Sequence, residues 1–140
     1  GFPGESKEEF DELLNFVESQ RFDRLGAFTY SREEGTEAFK LKEHLSFKEK
    51  NQRLDRLMTL QQGIAFEKNK KRVGEKVKVL IESKADGSKG MPGHYIARSQ
   101  KEAPEIDGVI LAKGKNLKIG EFVEVKITGW KDYDLIGEVL

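Results

Sequence analysis

The chain has no cysteine among its 140 residues, which removes disulfides, thiolate metal sites and a cysteine nucleophile together. It has no run of 18 apolar residues, so no membrane-spanning helix is encoded and no membrane partner is expected. No signal-peptide pattern opens it. An excess of one charge is missing too, because 25 Lys plus Arg balance 25 Asp plus Glu. A polyanion partner is therefore not announced by net charge. The only histidines are His44 and His94, both isolated in predicted loops, where an ordinary structural role outweighs a metal role. These absences leave one domain or two small ones, with a cytoplasmic location expected.

What is present falls into two regimes of periodicity. Gly1 to Glu5 is a loop of turn formers, and Ser6 with Glu9 makes a capping box. Phe10, Leu13, Leu14 and Val17 then draw one apolar stripe, which predicts a helix ending near Gln20. Arg24 to Tyr30 reads as a strand buried on both faces, as in a parallel sheet covered by helices. Loop, helix and strand make the second half of a βαβ unit whose first strand is missing. Residues 1–30 therefore read as a torn edge, with many residues expected before Gly1 in the natural protein.

Ser46 and Glu49 form a second capping box, and Leu54, Leu57, Met58, Leu60 and Ile64 give an apolar face to a helix from Phe47 to about Arg72. Its basic end, Lys68 to Arg72, is explained by cations offsetting a helix C-terminus, with Gly74 as the residue after the cap; contact with RNA is the alternative. From Glu75 the period becomes two. Val77, Val79 and Ile81 alternate with Lys76, Lys78 and Glu82. Further strands are predicted at 95–99, 109–112, 122–127 and 135–140, with a loop from Ala85 to Gly93. Five short strands in so few residues predict a small antiparallel barrel of OB-like type.

Two segments resemble one family. Gly1-Phe2-Pro3-Gly4-Glu5 before an acidic helix, then Ala27 to Ser31 and Gly35-Thr36, are similar to the late barrel strands of radical S-adenosylmethionine methylthiotransferases. The five-strand tail resembles the TRAM domain of those enzymes. One branch modifies transfer RNA bases. The RimO-type branch adds a methylthio group to an aspartate of the twelfth small-subunit ribosomal protein, and Ala103 to Gly108 resembles that branch. The resemblance implies an α+β chain in three parts: the last βα elements of an incomplete, TIM-like radical barrel at 1–45, a connecting helix at 46–73, and a TRAM-like barrel at 74–140. It also implies S-adenosylmethionine and two [4Fe-4S] clusters held by thiolates. Without cysteine, this segment is expected to be inactive alone, closing the barrel and recognising substrate.

Gly1 and Gly4 stand where a strand ends and a helix begins, the edge that faces ligand in α/β folds. The resemblance places them near S-adenosylmethionine, with Tyr30 and Ser31 on the same edge; turn formation alone also accounts for the glycines. In the tail, 10 Lys and Arg98 face 10 acidic residues from position 76 to 140, a poor supply for phosphate contacts unless Lys84, Lys89, Lys113, Lys115 and Lys118 cluster. Glu102, Glu105 and Asp107 lie together and would attract a basic ribosomal protein, while Tyr95 and Arg98 add contact on the barrel face. Trp130 and Tyr133 flank the last turn, where an aromatic can plug one end of a barrel. The alternatives are the same segment of a transfer RNA enzyme, or a non-enzymatic OB-like adaptor for nucleic acid or protein.

Overall fold

A computed structural model describes residues 1–85, 91–105 and 107–140. These residues form two α-helices, α1 (Lys7–Gln20) and α2 (Phe47–Lys71), a 3-10 turn at Ala38–Lys40, and five strands. The strands are β1 (Lys76–Lys84), β2 (His94–Arg98), β3 (Ile110–Lys113), β4 (Phe122–Lys131) and β5 (Asp134–Val139). The chain divides into two compact units, Gly1–Ala65 and Phe66–Leu140, so α2 gives residues to both. Most of the expected loop at 85–93, including Lys89, lies outside the described residues, as does Ile106.

In the first unit both capping boxes form. Glu9 N donates to Ser6 Oγ over 3.0 Å and Ser6 N to Glu9 Oε2 over 2.8 Å. At α2, Glu49 N donates to Ser46 Oγ over 3.2 Å and Ser46 N to Glu49 Oε2 over 3.1 Å. Val17 of α1 and Leu57 and Ile64 of α2 make the buried cluster, with Leu14, Phe22, Leu25, Ala27 and Leu60 packed against it. Burial of this kind, at roughly 25 cal/mol per Å² of apolar surface, holds short helices together.

The expected strand at Arg24–Tyr30 is not formed, nor is it buried on both faces. Residues 22–33 carry neither helix nor strand. Alternation survives in part: Leu25 and Ala27 pack on the helical cluster, whereas Phe28 is 96 % exposed. A strand is defined by its ladder, and no neighbouring strand exists among the described residues of this unit.

The second unit is a closed barrel with strand order β1-β2-β3-β5-β4. It is not wholly antiparallel as expected, because β3 and β5 pair in parallel, Ile110 opposite Leu135 and Leu111 opposite Ile136. Register shifts at Ile81/Ser83 and Ile127/Gly129 bend the two long strands, as bulges do where a sheet curls into a barrel. Val79, Ile81, Tyr95, Ala97, Ile110, Ala112, Val125, Ile127 and Leu135 fill it. Gly137 of β5 is required by close approach: a Cβ there would overlap the Val125 side chain and the Lys126 carbonyl.

Candidate functional site

The first unit gathers side chains around Lys50. A Cβ on Gly1 would lie 2.6 Å from Lys50 Cγ, so only glycine lets the loop rest on that side chain. Lys50 Nζ donates to the Tyr30 carbonyl over 2.9 Å and stands 5.5 Å from the Tyr30 ring centroid. Phe2 meets Tyr30 edge-on at 5.3 Å, and His44 stacks on it at 6.0 Å. Gly4 has φ +81°, a left-handed conformation that favours glycine, and its N–H donates to the Glu43 carbonyl over 3.1 Å. The loop carrying Gly1 and Gly4 is thus tied to the segments carrying Tyr30 and His44. Ser31 is exposed and donates to Glu33 Oε1 over 2.7 Å instead.

Within this cluster Tyr30 Oη and His44 Nε2 are buried without a hydrogen-bond partner. Buried polar atoms are rarely left so, and the pair suits a polar ligand group of the kind S-adenosylmethionine carries. Iron–sulfur clusters fit differently. Their usual thiolates are missing from the sequence, and no group of three His, Cys, Asp or Glu able to hold a metal ion occurs among the described residues. The residues present do not fit cluster ligation. From sequence His44 is weighed only as an isolated loop histidine and Lys50 is not singled out, since nothing local ties them to a strand end some 14 to 20 positions earlier.

On the barrel the expected docking residues separate. Tyr95 is 8 % exposed and belongs to the barrel core, because β2 alternates and Tyr95 shares its inward parity with Ala97. Glu102 is 5 % exposed. It accepts from Ser99 N at 2.9 Å, Ser99 Oγ at 2.5 Å and Arg72 Nη1 at 2.7 Å, so it is a structural brace and not a docking carboxylate. Burial would raise its pKa, but the bonds from Ser99 and Arg72 outweigh that and hold it below the ordinary carboxylate value. Arg98 faces outward and donates to Glu82. Glu105 is exposed at φ 64°, and Asp107 accepts from Ala103 N over 2.8 Å.

Among the lysines considered for clustering, Lys84 and Lys113 stand opposite Tyr95 and His94 at one end of the barrel, and Lys113 pairs with Glu138 at 3.5 Å. Trp130 packs against the barrel core. Phe66 joins it at 5.1 Å and meets Tyr133 at 5.7 Å. Asn69 Nδ2 donates to the Tyr133 carbonyl over 3.3 Å, bracing that turn. No helix among the described residues is long and apolar enough to cross a membrane.

A family model described as the TRAM domain matches residues 73–140, the stretch that forms the barrel. Over its whole length the chain is similar to curated proteins named ribosomal protein uS12 methylthiotransferase RimO. That of Desulforamulus reducens is 46 % identical over 140 residues, covering 99 % of this chain and 31 % of the relative. That of Clostridium kluyveri is 48 % identical over 140 residues, covering 99 % and 30 %. That of Pelotomaculum thermopropionicum is 48 % identical over 141 residues, covering 100 % and 31 %. The chain spans about three tenths of the length of the curated relatives it matches.

Proposed function

We propose that the chain belongs to the RimO family of methylthiotransferases and is a segment of a radical S-adenosylmethionine enzyme that adds a methylthio group to an aspartate of ribosomal protein uS12. Similarity to RimO proteins along the entire chain, at 46 to 48 % identity in the three relatives described above, is the observation that carries this reading. S-adenosylmethionine and two iron–sulfur clusters would supply the radical and sulfur chemistry. The thiolates for those clusters would come from a longer protein, so this segment by itself is inactive.

Two features of the chain's own residues support the assignment of roles. Leu25 and Ala27 are packed while Phe28 is bare, as suits a strand whose ladder is completed by further chain. The Gly1–Gly4 loop and Tyr30 border the orphaned Tyr30 Oη and His44 Nε2, which would face the cofactor. Lys50 fixes the end of that segment by taking the Tyr30 carbonyl. On the barrel, Glu105 and the Asp107 loop remain for meeting the basic uS12 protein.

The test is a reaction of the longer, cluster-loaded protein with uS12 and with transfer RNA in separate vessels. Mass spectrometry of uS12 should show one methylthio group on an aspartate. Modified transfer RNA beside unmodified uS12 would overturn the assignment in favour of the RNA-modifying branch.

A further inference from the structure

Three cations stand on successive turns of α2, at Lys50, Arg53 and Arg56, each three residues from the last, so that neighbours share a face. They differ in what they hold. Arg56 donates to the Asp11 carboxylate over 3.1 Å, with 55 % and 44 % of the two side chains exposed. An ion pair so placed contributes little. Lys50 and Arg53 are turned instead to main-chain oxygens. Lys50 Nζ takes the Tyr30 carbonyl over 2.9 Å. Arg53 Nη1 takes the Glu5 carbonyl over 3.0 Å, the Ser6 carbonyl over 3.1 Å and the Glu5 carboxylate over 2.5 Å.

The choice of partner matters, because a carbonyl is fixed to the chain whereas a side chain keeps rotamer freedom of its own. Arg53 therefore holds the backbone where the Gly1–Glu5 loop runs into the Ser6 cap of α1. The Arg53 and Glu5 side chains are 17 % and 20 % exposed, and the guanidinium lies 5.3 Å from the Phe10 ring centroid. Charge-assisted bonds so sheltered from water are among the stronger ones. Lys50 holds the last residue of a segment that carries neither helix nor strand, and its stem is the surface on which Gly1 rests. One turn apart, the two cations tie both segments that border Tyr30 Oη and His44 Nε2 to a single helix.

We propose that Lys50 and Arg53 are positioning residues for S-adenosylmethionine, setting the Gly1–Ser6 loop and the Tyr30 backbone in register from one face of α2. The inference rests on the reading of this edge as the cofactor's, and adds what holds that edge in shape. Neither cation has to touch the cofactor. A slack edge must be ordered each time the cofactor binds, and that cost falls on affinity. Once S-adenosylmethionine is bound the reacting groups are those of the unmodified protein, and uS12 meets other surfaces.

The experiment has two arms. In the 140-residue chain, amide hydrogen exchange is followed at Gly4 and Glu5, whose N–H groups donate to the Glu43 and Phe2 carbonyls. Arg53→Met should speed both by about tenfold, as the loss of a hydrogen bond to a charged group does. Arg53→Lys should keep most of the protection, because all three contacts leave a single nitrogen. Arg56→Met should alter neither amide. In the longer, cluster-loaded protein, Lys50→Met and Arg53→Met should each raise the S-adenosylmethionine Kd, read by equilibrium dialysis, about tenfold. Its KM should rise with it, while kcat at saturating cofactor and the KM for uS12 hold, and Arg53→Lys should restore binding. Unchanged cofactor binding in both methionine variants, unchanged exchange in Arg53→Met, or equal damage to kcat and to both KM values would overturn the proposal and leave the cofactor reading standing. Failure of the unmodified longer protein to bind S-adenosylmethionine would sink that reading and this proposal with it.

Discussion

Arg72 Nη1 donates to Glu102 Oε1 over 2.7 Å, with only 12 % and 3 % of the two side chains exposed. The pair joins the turn after α2 to the loop between β2 and β3, and the other Glu102 oxygen holds Ser99. Removing one member leaves a buried charge unpaired, which costs about 3–5 kcal/mol. Arg72→Ala and Glu102→Ala should each lower barrel stability by roughly that amount, measured by urea unfolding. Replacing both with apolar residues should cost much less. A double variant as unstable as the singles would show that packing, and not the stranded charge, sets the penalty.

The same pair gives the barrel an acid limb. Glu102 titrates below its ordinary value when folded, so its contribution is fully present above the unfolded pKa and is lost as pH falls through the folded one. The stability gap between the unmodified chain and Glu102→Gln should therefore be wide at neutral pH and should narrow as pH falls below the ordinary carboxylate range. Acid titration of both chains by circular dichroism reads this directly. A gap that stays constant across the titration would remove Glu102 as its source.

Glycines separate by what a methyl group would meet. Gly137→Ala puts a Cβ against the Val125 side chain and the Lys126 carbonyl, and Gly108→Ala puts one against the Tyr133 carbonyl. Each should destabilise the barrel by about 1–3 kcal/mol, as overpacking does. Gly63 in α2 has nothing within 4 Å of its added Cβ. Gly63→Ala should stabilise by about 0.5–1 kcal/mol through helix propensity. Thermal melts of the three variants test the contrast, and a stabilised Gly137→Ala would refute the close approach at β5.

What could be read from the residues followed the range of the forces involved. Capping boxes at Ser6 and Ser46, the stripe through Val17, and the alternation Val77, Val79, Ile81 are local, and the elements they predict all form. The parallel β3–β5 pair was missed because pairing direction depends on barrel closure, which no local pattern encodes. Tyr95 and Glu102 were assigned to the surface by residue type. Parity with Ala97 was enough to turn Tyr95 inward, whereas the burial of Glu102 needed Arg72, thirty positions away.

Phe28 offers the sharpest separation between the chain by itself and the longer enzyme proposed here. At 96 % exposure it contributes almost nothing to the packing of its own unit, while Leu25 and Ala27 on the opposite parity hold the segment to the helices. If Arg24–Tyr30 becomes a strand of an α/β barrel, the Phe28 side of that strand turns to the barrel interior, which bulky side chains fill. Phe28→Asp would then bury an unpaired carboxylate at a cost of several kcal/mol. The expected outcome is an unchanged melting temperature for the 140-residue chain, beside loss of folded, active longer enzyme. Leu25→Asp should damage both. Full activity of the longer enzyme with Phe28→Asp would mean that this face stays in solvent there too, and the strand proposed at 24–30 would have no ladder to join.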